Sequence, residues 1–137
     1  METKFNFNSQ VATSRSQSER LLALGLKNET ADMHHYRWSE GYWRVEACPP
    51  RGDAPSFIPA WSLHRLWELL GKIKKYEGED ELLYPRISLV EEDVIVENPK
   101  SLWVRQSFIS PKGVYENIIN CLEELIKEGY FNKEYLV

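Results

Sequence analysis

His34, His35 and His64, with Cys48 and Cys121, are the side chains of this sequence best suited to bind a metal or attack a substrate. Two of the histidines stand together in ADMHHYRW (31–38), beside Asp32 and among aromatics. Adjacent residues of a strand point to opposite faces, so His34 and His35 do not readily share one ion. Asp32 and His34 share a side only if the strand begins that early. His64 lies four residues before Glu68, the spacing of an exposed pair on a helix surface. A zinc centre needs three or four convergent ligands, usually at tight spacing. Three histidines and two dispersed cysteines do not supply that pattern, and no metal or cofactor is expected.

Nucleophilic chemistry has one candidate. Cys48 precedes Pro49 and Pro50 in a loop, and His34 or His35 could neighbour it across a hairpin. A small cysteine-dependent hydrolase would need a lowered thiol pKa and a positioned base, and the sequence displays neither. Cys121 falls at the edge of an apolar helical stripe and reads as a small core residue. GxSxG, P-loop, GxGxxG and HExxH motifs are all missing. Glu91, Glu92 and Asp93 read as a polar turn. No catalytic residue is assigned. The RGD at 51–53 is read as chance, since adhesion requires an exported protein.

Aromatic content remains. Five tryptophans in 137 residues are many, and Trp and Tyr bring large contact area with a polar handle. Trp67 fits the core stripe of its helix. Tyr36, Trp38, Trp43 and Trp103, with Arg37, Arg44 and Arg105 nearby, compose a candidate binding face whose alternative is core packing.

The elements that would position these residues are legible in outline. Ser16 and Glu19 have capping-box spacing ahead of Leu21, Leu22 and Leu24, and Gly25 can end that helix with Leu26 folding back onto Leu21. Asn28 reads as the cap of a short turn. MHHYRW and YWRVEAC, separated by SEG, predict a hairpin. After the loop PPRGDAPS (49–56), IPAWSLHRLWELLGKIKK predicts a helix capped by Ser62, with Leu63, Leu66, Trp67, Leu69, Leu70 and Ile73 in one stripe. RISLV, DVIVEN and LWVRQSFI predict an antiparallel three-stranded meander. Ser110 and Pro111 suit the start of a last helix, in which Val114, Ile118, Ile119, Leu122, Leu125 and Ile126 form a continuous apolar stripe before Gly129. The expected fold is α+β, a small antiparallel sheet (hairpin plus meander) with helices on one face. It is read as a single domain over 1–137, with residues 1–14 a loose arm or an edge strand through Phe5 and Phe7.

Composition fits that reading. Hydrophobic residues at 42% and charged residues at 28% are ordinary for a globular chain able to bury a core without disulfides, and Cys48 and Cys121 are expected to be reduced. A formal net charge of −4 argues against nucleic acid as the main partner. Residues 77–98 carry eight acidic side chains against Arg86 alone, after the basic KIKK at 72–75, and read as a solvated surface. The N-terminus lacks a signal-peptide pattern and no apolar run has membrane length, so a cytoplasmic protein without membrane attachment is expected.

KFNFNSQVATSRSQSERLLALGLKNETADM, IPAWSLHRLWELL and YENIINCLEELIKEGYFNKEYL together resemble an uncharacterised family of short proteins from Bacteroides-type gut bacteria, encoded in prophage or other mobile-element regions. The resemblance covers about half the chain. It implies a bacterial accessory protein and carries no site residues. The leading expectation is therefore a non-enzymatic interaction module that binds an unidentified host or phage protein. A binder of single-stranded nucleic acid or a nucleotide, with the aromatics as stacking platforms, is the alternative, and the cysteine hydrolase a further one.

Overall fold

A computed structural model of the chain describes residues 10–50, 56–71, 84–87, 92–98, 101–108 and 110–137. Phe5, Phe7, the KIKK segment, the RGD tripeptide and most of the acidic stretch lie outside the described residues.

Helix α1 spans Arg15–Ala23. Its capping box is made by Ser14 and Gln17, two residues before the expected pair: Ser14 Oγ accepts from the Gln17 amide at 3.2 Å, and Gln17 Oε1 accepts from the Ser14 amide at 2.9 Å. Both serines have the right spacing. The choice is tertiary, because Gln17 and Ser18 are buried and Thr13 Oγ1 lies 2.8 Å from Ser18 Oγ. Gly25 ends the helix as expected, at φ 101, with Leu26 N–H donating to the Leu21 carbonyl at 3.3 Å. Leu26 is thereby buried, and it bridges Leu136 of the C-terminal tail.

Strands β1 (Met33–Ser39) and β2 (Tyr42–Glu46) form the expected hairpin around Glu40 and Gly41. A third strand, β3 (Phe57–Ala60), pairs antiparallel with the other side of β1, giving the order β2-β1-β3. The sequence pattern places these residues in a helical lead-in instead. Pro59 argues against a central strand but is tolerated at a sheet edge, and β3 is such an edge. Helix α2 (Leu63–Leu70) follows with Ser62 as its cap, as expected. The stripe is narrower than the sequence suggests: Leu66, Leu69 and Leu70 are buried, but Trp67 is 39% exposed. Trp67 sits at the border of the apolar arc, where its ring extends past the core into solvent.

The meander is present as β4 (Tyr84–Ile87), β5 (Val94–Asn98) and β6 (Ser101–Phe108), in the order β4-β5-β6. Helix α3 (Val114–Lys127) packs on β5 and β6 and against α2 and α1. Ile118, Ile119, Leu122 and Leu125 are buried against Val94 and Val96, each worth about 1.5–3 kcal/mol gross. Its start differs from expectation. Ser110 and Pro111 belong to a separate turn, closed by Ser110 Oγ accepting from the Lys112 amide at 3.1 Å, and Gly113 at φ 99 is the residue before the first helical turn. The fold is α+β, as expected, and among the described residues the hairpin and the meander each belong to a small antiparallel sheet of their own.

Trp61, between β3 and α2, ties that link to the segments that flank α1. It is fully buried: its carbonyl accepts from the Thr13 amide at 2.9 Å, its amide donates to Thr13 Oγ1 at 3.1 Å, and its indole N–H donates to Thr30 Oγ1 at 3.0 Å. Arg20 performs a similar task at the surface, pairing with Glu116 at 2.9 Å and Glu123 at 2.8 Å on α3.

Candidate functional site

Strand alternation divides the hairpin sheet into two faces. The back face carries His35, Arg37 and Trp43. His35 is buried and its Nε2–H donates to the Thr13 carbonyl at 2.7 Å. Burial lowers its pKa, which keeps the imidazole neutral. The guanidinium of Arg15 lies 4.7 Å from the centre of the Trp43 ring and that of Arg37 5.9 Å. Helix α1 thus seats on this face through its first residues.

The front face carries His34, Tyr36 and Trp38 from β1, and Tyr42, Arg44 and Glu46 from β2. Register places Glu46 opposite His34 and Arg44 opposite Tyr36, with Phe57 opposite Tyr36 on the other side. A bulge between Arg37 and Ser39 leaves Trp38 as the extra residue, and bulges re-aim side chains in this way. Trp38 meets the Tyr42 ring at 5.5 Å between centroids, and the two are 58% and 62% exposed. Further along the same face is an open cavity of about 330 Å³, lined by His34, Tyr36, Arg44, Glu46 and Phe57. The Tyr36 and Phe57 rings lie 5.2 Å apart in its wall, and Arg44 stands 5.6 Å above the Tyr36 ring. Arg44 Nε and Nη2 each reach Glu46 Oε1 at 2.9 Å.

At the inner end of this face His34, 2% exposed, donates its Nδ1–H to the Cys48 carbonyl at 2.8 Å. A carbonyl only accepts, so Nδ1 holds the proton and the lone pair of the neutral ring is on Nε2. The Cys48 thiol sulfur lies 3.9 Å from Nδ1. Cleft and proximity are therefore present for a cysteine–histidine pair, but the nitrogen beside the sulfur is a donor already engaged elsewhere. As a general base for Cys48 it is misassigned.

The candidate binding residues are thus partly gathered and partly separated. Tyr36, Trp38 and Arg44 share the front face. Trp43 occupies the back, since it is the chain neighbour of Arg44 and must point the other way. Trp103 and Arg105 belong by backbone to β6, in the other sheet, and their side chains lie outside the described residues. Asp32 precedes β1 and takes no part: its carboxylate accepts from the Ser62 amide at 2.9 Å and from the Ser62 hydroxyl, holding the α2 cap. His64 and Glu68 form the expected exposed pair at 3.5 Å. Cys121 is buried, with its thiol pushed up to about 12, as befits a core residue, and both cysteines are free. Sequence reasoning missed Tyr42, Glu46 and Phe57. The first two were accessible from hairpin arithmetic around Glu40–Gly41; Phe57 was hidden with the unrecognised β3. Among the described residues no helix is long and apolar enough to cross a membrane. Compared with known proteins, the chain matches no family model, no curated protein and no solved structure.

Proposed function

We propose that this protein is a non-enzymatic interaction module that docks a partner protein on the front face of its hairpin sheet. The observation that carries the reading is the Trp38–Tyr42 pair, two large aromatics in contact and exposed to solvent on the face that also carries an aromatic-walled cavity. Clustered exposed apolar surface of this kind marks interaction sites, whereas single exposed residues do not. Covering both rings would remove roughly 250 Å² from water, worth about 6 kcal/mol gross at ~25 cal/mol per Å². That is the scale of an interface hot spot.

The charge distribution favours a protein over nucleic acid. Arg44 is compensated by Glu46, and Arg15 and Arg37 are drawn to Trp43 on the far face. Trp38 and Tyr42 meet in a tilted contact at 5.5 Å between ring centroids, which leaves no slot between them for a base. The resemblance to mobile-element accessory proteins suggests a host or phage protein as the partner.

The test is affinity capture from bacterial lysate with nuclease and at two salt concentrations. A protein partner should be retained by wild type and by Trp67→Ala, which removes an exposed aromatic on α2, and lost on combining Trp38→Ala with Tyr42→Ala. Loss with Trp67→Ala alone, or recovery only of nucleic acid that high salt removes, would refute the reading.

A further inference from the structure

Among the described residues, one set of side chains converges with the composition of a metal site: a His34 ring nitrogen, a Glu46 carboxylate oxygen and Cys48 Sγ lie within 4.8 Å of one another. We propose that these three residues bind a divalent transition ion, zinc foremost, with the fourth coordination position facing the front cavity. The inference is independent of the docking reading, since it concerns the inner end of the face and not the exposed aromatic pair.

The set is made by the hairpin and is invisible as a motif. His34 and Glu46 are register partners on β1 and β2, and Cys48 lies two residues further on, where the chain has left the strand. Nitrogen, carboxylate oxygen and thiolate are the donors zinc takes, and three protein ligands with an open fourth place are the pattern of accessible zinc centres. Bonds of ~2.0–2.3 Å in a tetrahedron separate ligand atoms by roughly 3.3–3.7 Å. Closing the present spread requires movements of about 1 Å. Glu46 and Cys48, both only half-buried, can supply them by side-chain rotation while His34 stays fixed.

The nitrogen that lies 3.9 Å from the Cys48 sulfur is Nδ1, so binding moves the ring proton to Nε2 and exchanges the Nδ1–H bond to the Cys48 carbonyl for the bond to the ion. The Glu46 ligand is already oriented by an outer partner, as metal ligands generally are. Arg44 holds the Glu46 carboxylate through Oε1. On binding, the Cys48 thiol releases its proton to solvent and bonds as thiolate, while His34 binds neutral. Thiolate and carboxylate together neutralise a divalent ion. Arg44 then remains as the net charge at the cavity rim, beside the open coordination position that His34 and Glu46 border.

The test is titration of the full-length, reduced, metal-stripped protein with Co2+, followed by competition with Zn2+. The expected result is one ion per chain, a thiolate-to-cobalt charge-transfer band, intense visible bands of tetrahedral cobalt, and bleaching of both by zinc. Cys48→Ser should abolish the charge-transfer band, and Glu46→Gln should weaken cobalt binding at least about tenfold, with His34→Asn doing the same where far-ultraviolet circular dichroism shows it folded. Because Glu46 is half-buried and, among the described residues, its carboxylate pairs with Arg44, its variant keeps the test decisive if His34→Asn does not fold. Absence of a charge-transfer band with cobalt in large excess would overturn the proposal. So would a band that survives Cys48→Ser, or an affinity unchanged by Glu46→Gln, which would reduce the site to a lone cysteine.

Discussion

Replacing Trp61 by Phe isolates the work done by a fully buried tryptophan whose indole N–H holds Thr30. The substitution removes the indole N–H that donates to Thr30 Oγ1, a hydrogen bond worth about 0.5–1.5 kcal/mol net. It also leaves roughly 40 Å³ unfilled in a fully buried place, about 1 kcal/mol at ~24 cal/mol per Å³. The backbone bonds to Thr13 survive. The expected loss is about 1.5–2.5 kcal/mol. For a chain of 137 residues that corresponds to a fall in Tm of about 5–9 °C. Urea unfolding followed by circular dichroism gives the free energy directly, with an unchanged slope confirming that the folded state keeps its compactness. Trp38→Ala is the matched control. It removes a solvent-facing ring whose described aromatic neighbour is Tyr42 and should cost less than about 1 kcal/mol. A Trp61→Phe loss below about 0.5 kcal/mol, or a Trp38→Ala loss above about 2 kcal/mol, would refute the division between core and face on which the functional reading depends.

Acid should destabilise the fold in two separable ways. His35 has a pKa lowered by burial beneath the ordinary 6.5; the unfolded chain takes up its proton first, so stability is full above pH 6.5 and declines below it until the folded value is reached. His35→Gln should flatten that limb in urea titrations repeated across pH. The Arg20 hydrogen bond holds the Glu123 carboxyl below its ordinary 4.5, so this pair's contribution is full above that pH and is lost as pH falls through the lower folded value. Arg20→Met should shrink this second limb, leaving the part that Lys127 supplies, at a cost of about 1 kcal/mol at neutral pH, since the pair is partly solvated. Gly25→Ala should cost about 1–2 kcal/mol in unfolding experiments, from the positive φ alone, because the nearest atom to an added Cβ is Leu136 Cδ2 at 4.0 Å.

Local physics made much of this fold legible in the sequence. Ser62 caps its helix, Gly25 ends another, and the α3 stripe is buried where periodicity places it, because each signal is decided within a few residues. Ser14 against Ser16 is different: both satisfy the local rule, and burial of Gln17 and Ser18 decides between them. Pro59 hid β3, since a proline in a strand is acceptable only at an edge, and edges are set by distant pairing. The binding face was half legible for a related reason. Alternation separates His34 from His35, and the same alternation separates Trp43 from Arg44. Applied at both places, it sorts the hairpin into front and back from the residue order alone. What alternation does not reach is the alignment of β1 with β2 and β3, and that alignment brings Glu46, Cys48 and Phe57 to the front.

The central claim is that the front face of the hairpin meets a protein partner, and site-specific photocrosslinking tests it most directly. A photoreactive side chain would replace Tyr42 in one preparation and His64, exposed on α2, in another, each irradiated in bacterial lysate. Position 42 should give a discrete protein adduct that Trp38→Ala abolishes, and position 64 none. Adducts of equal yield from both positions, or adducts from position 42 that contain nucleic acid and no protein, would contradict the account.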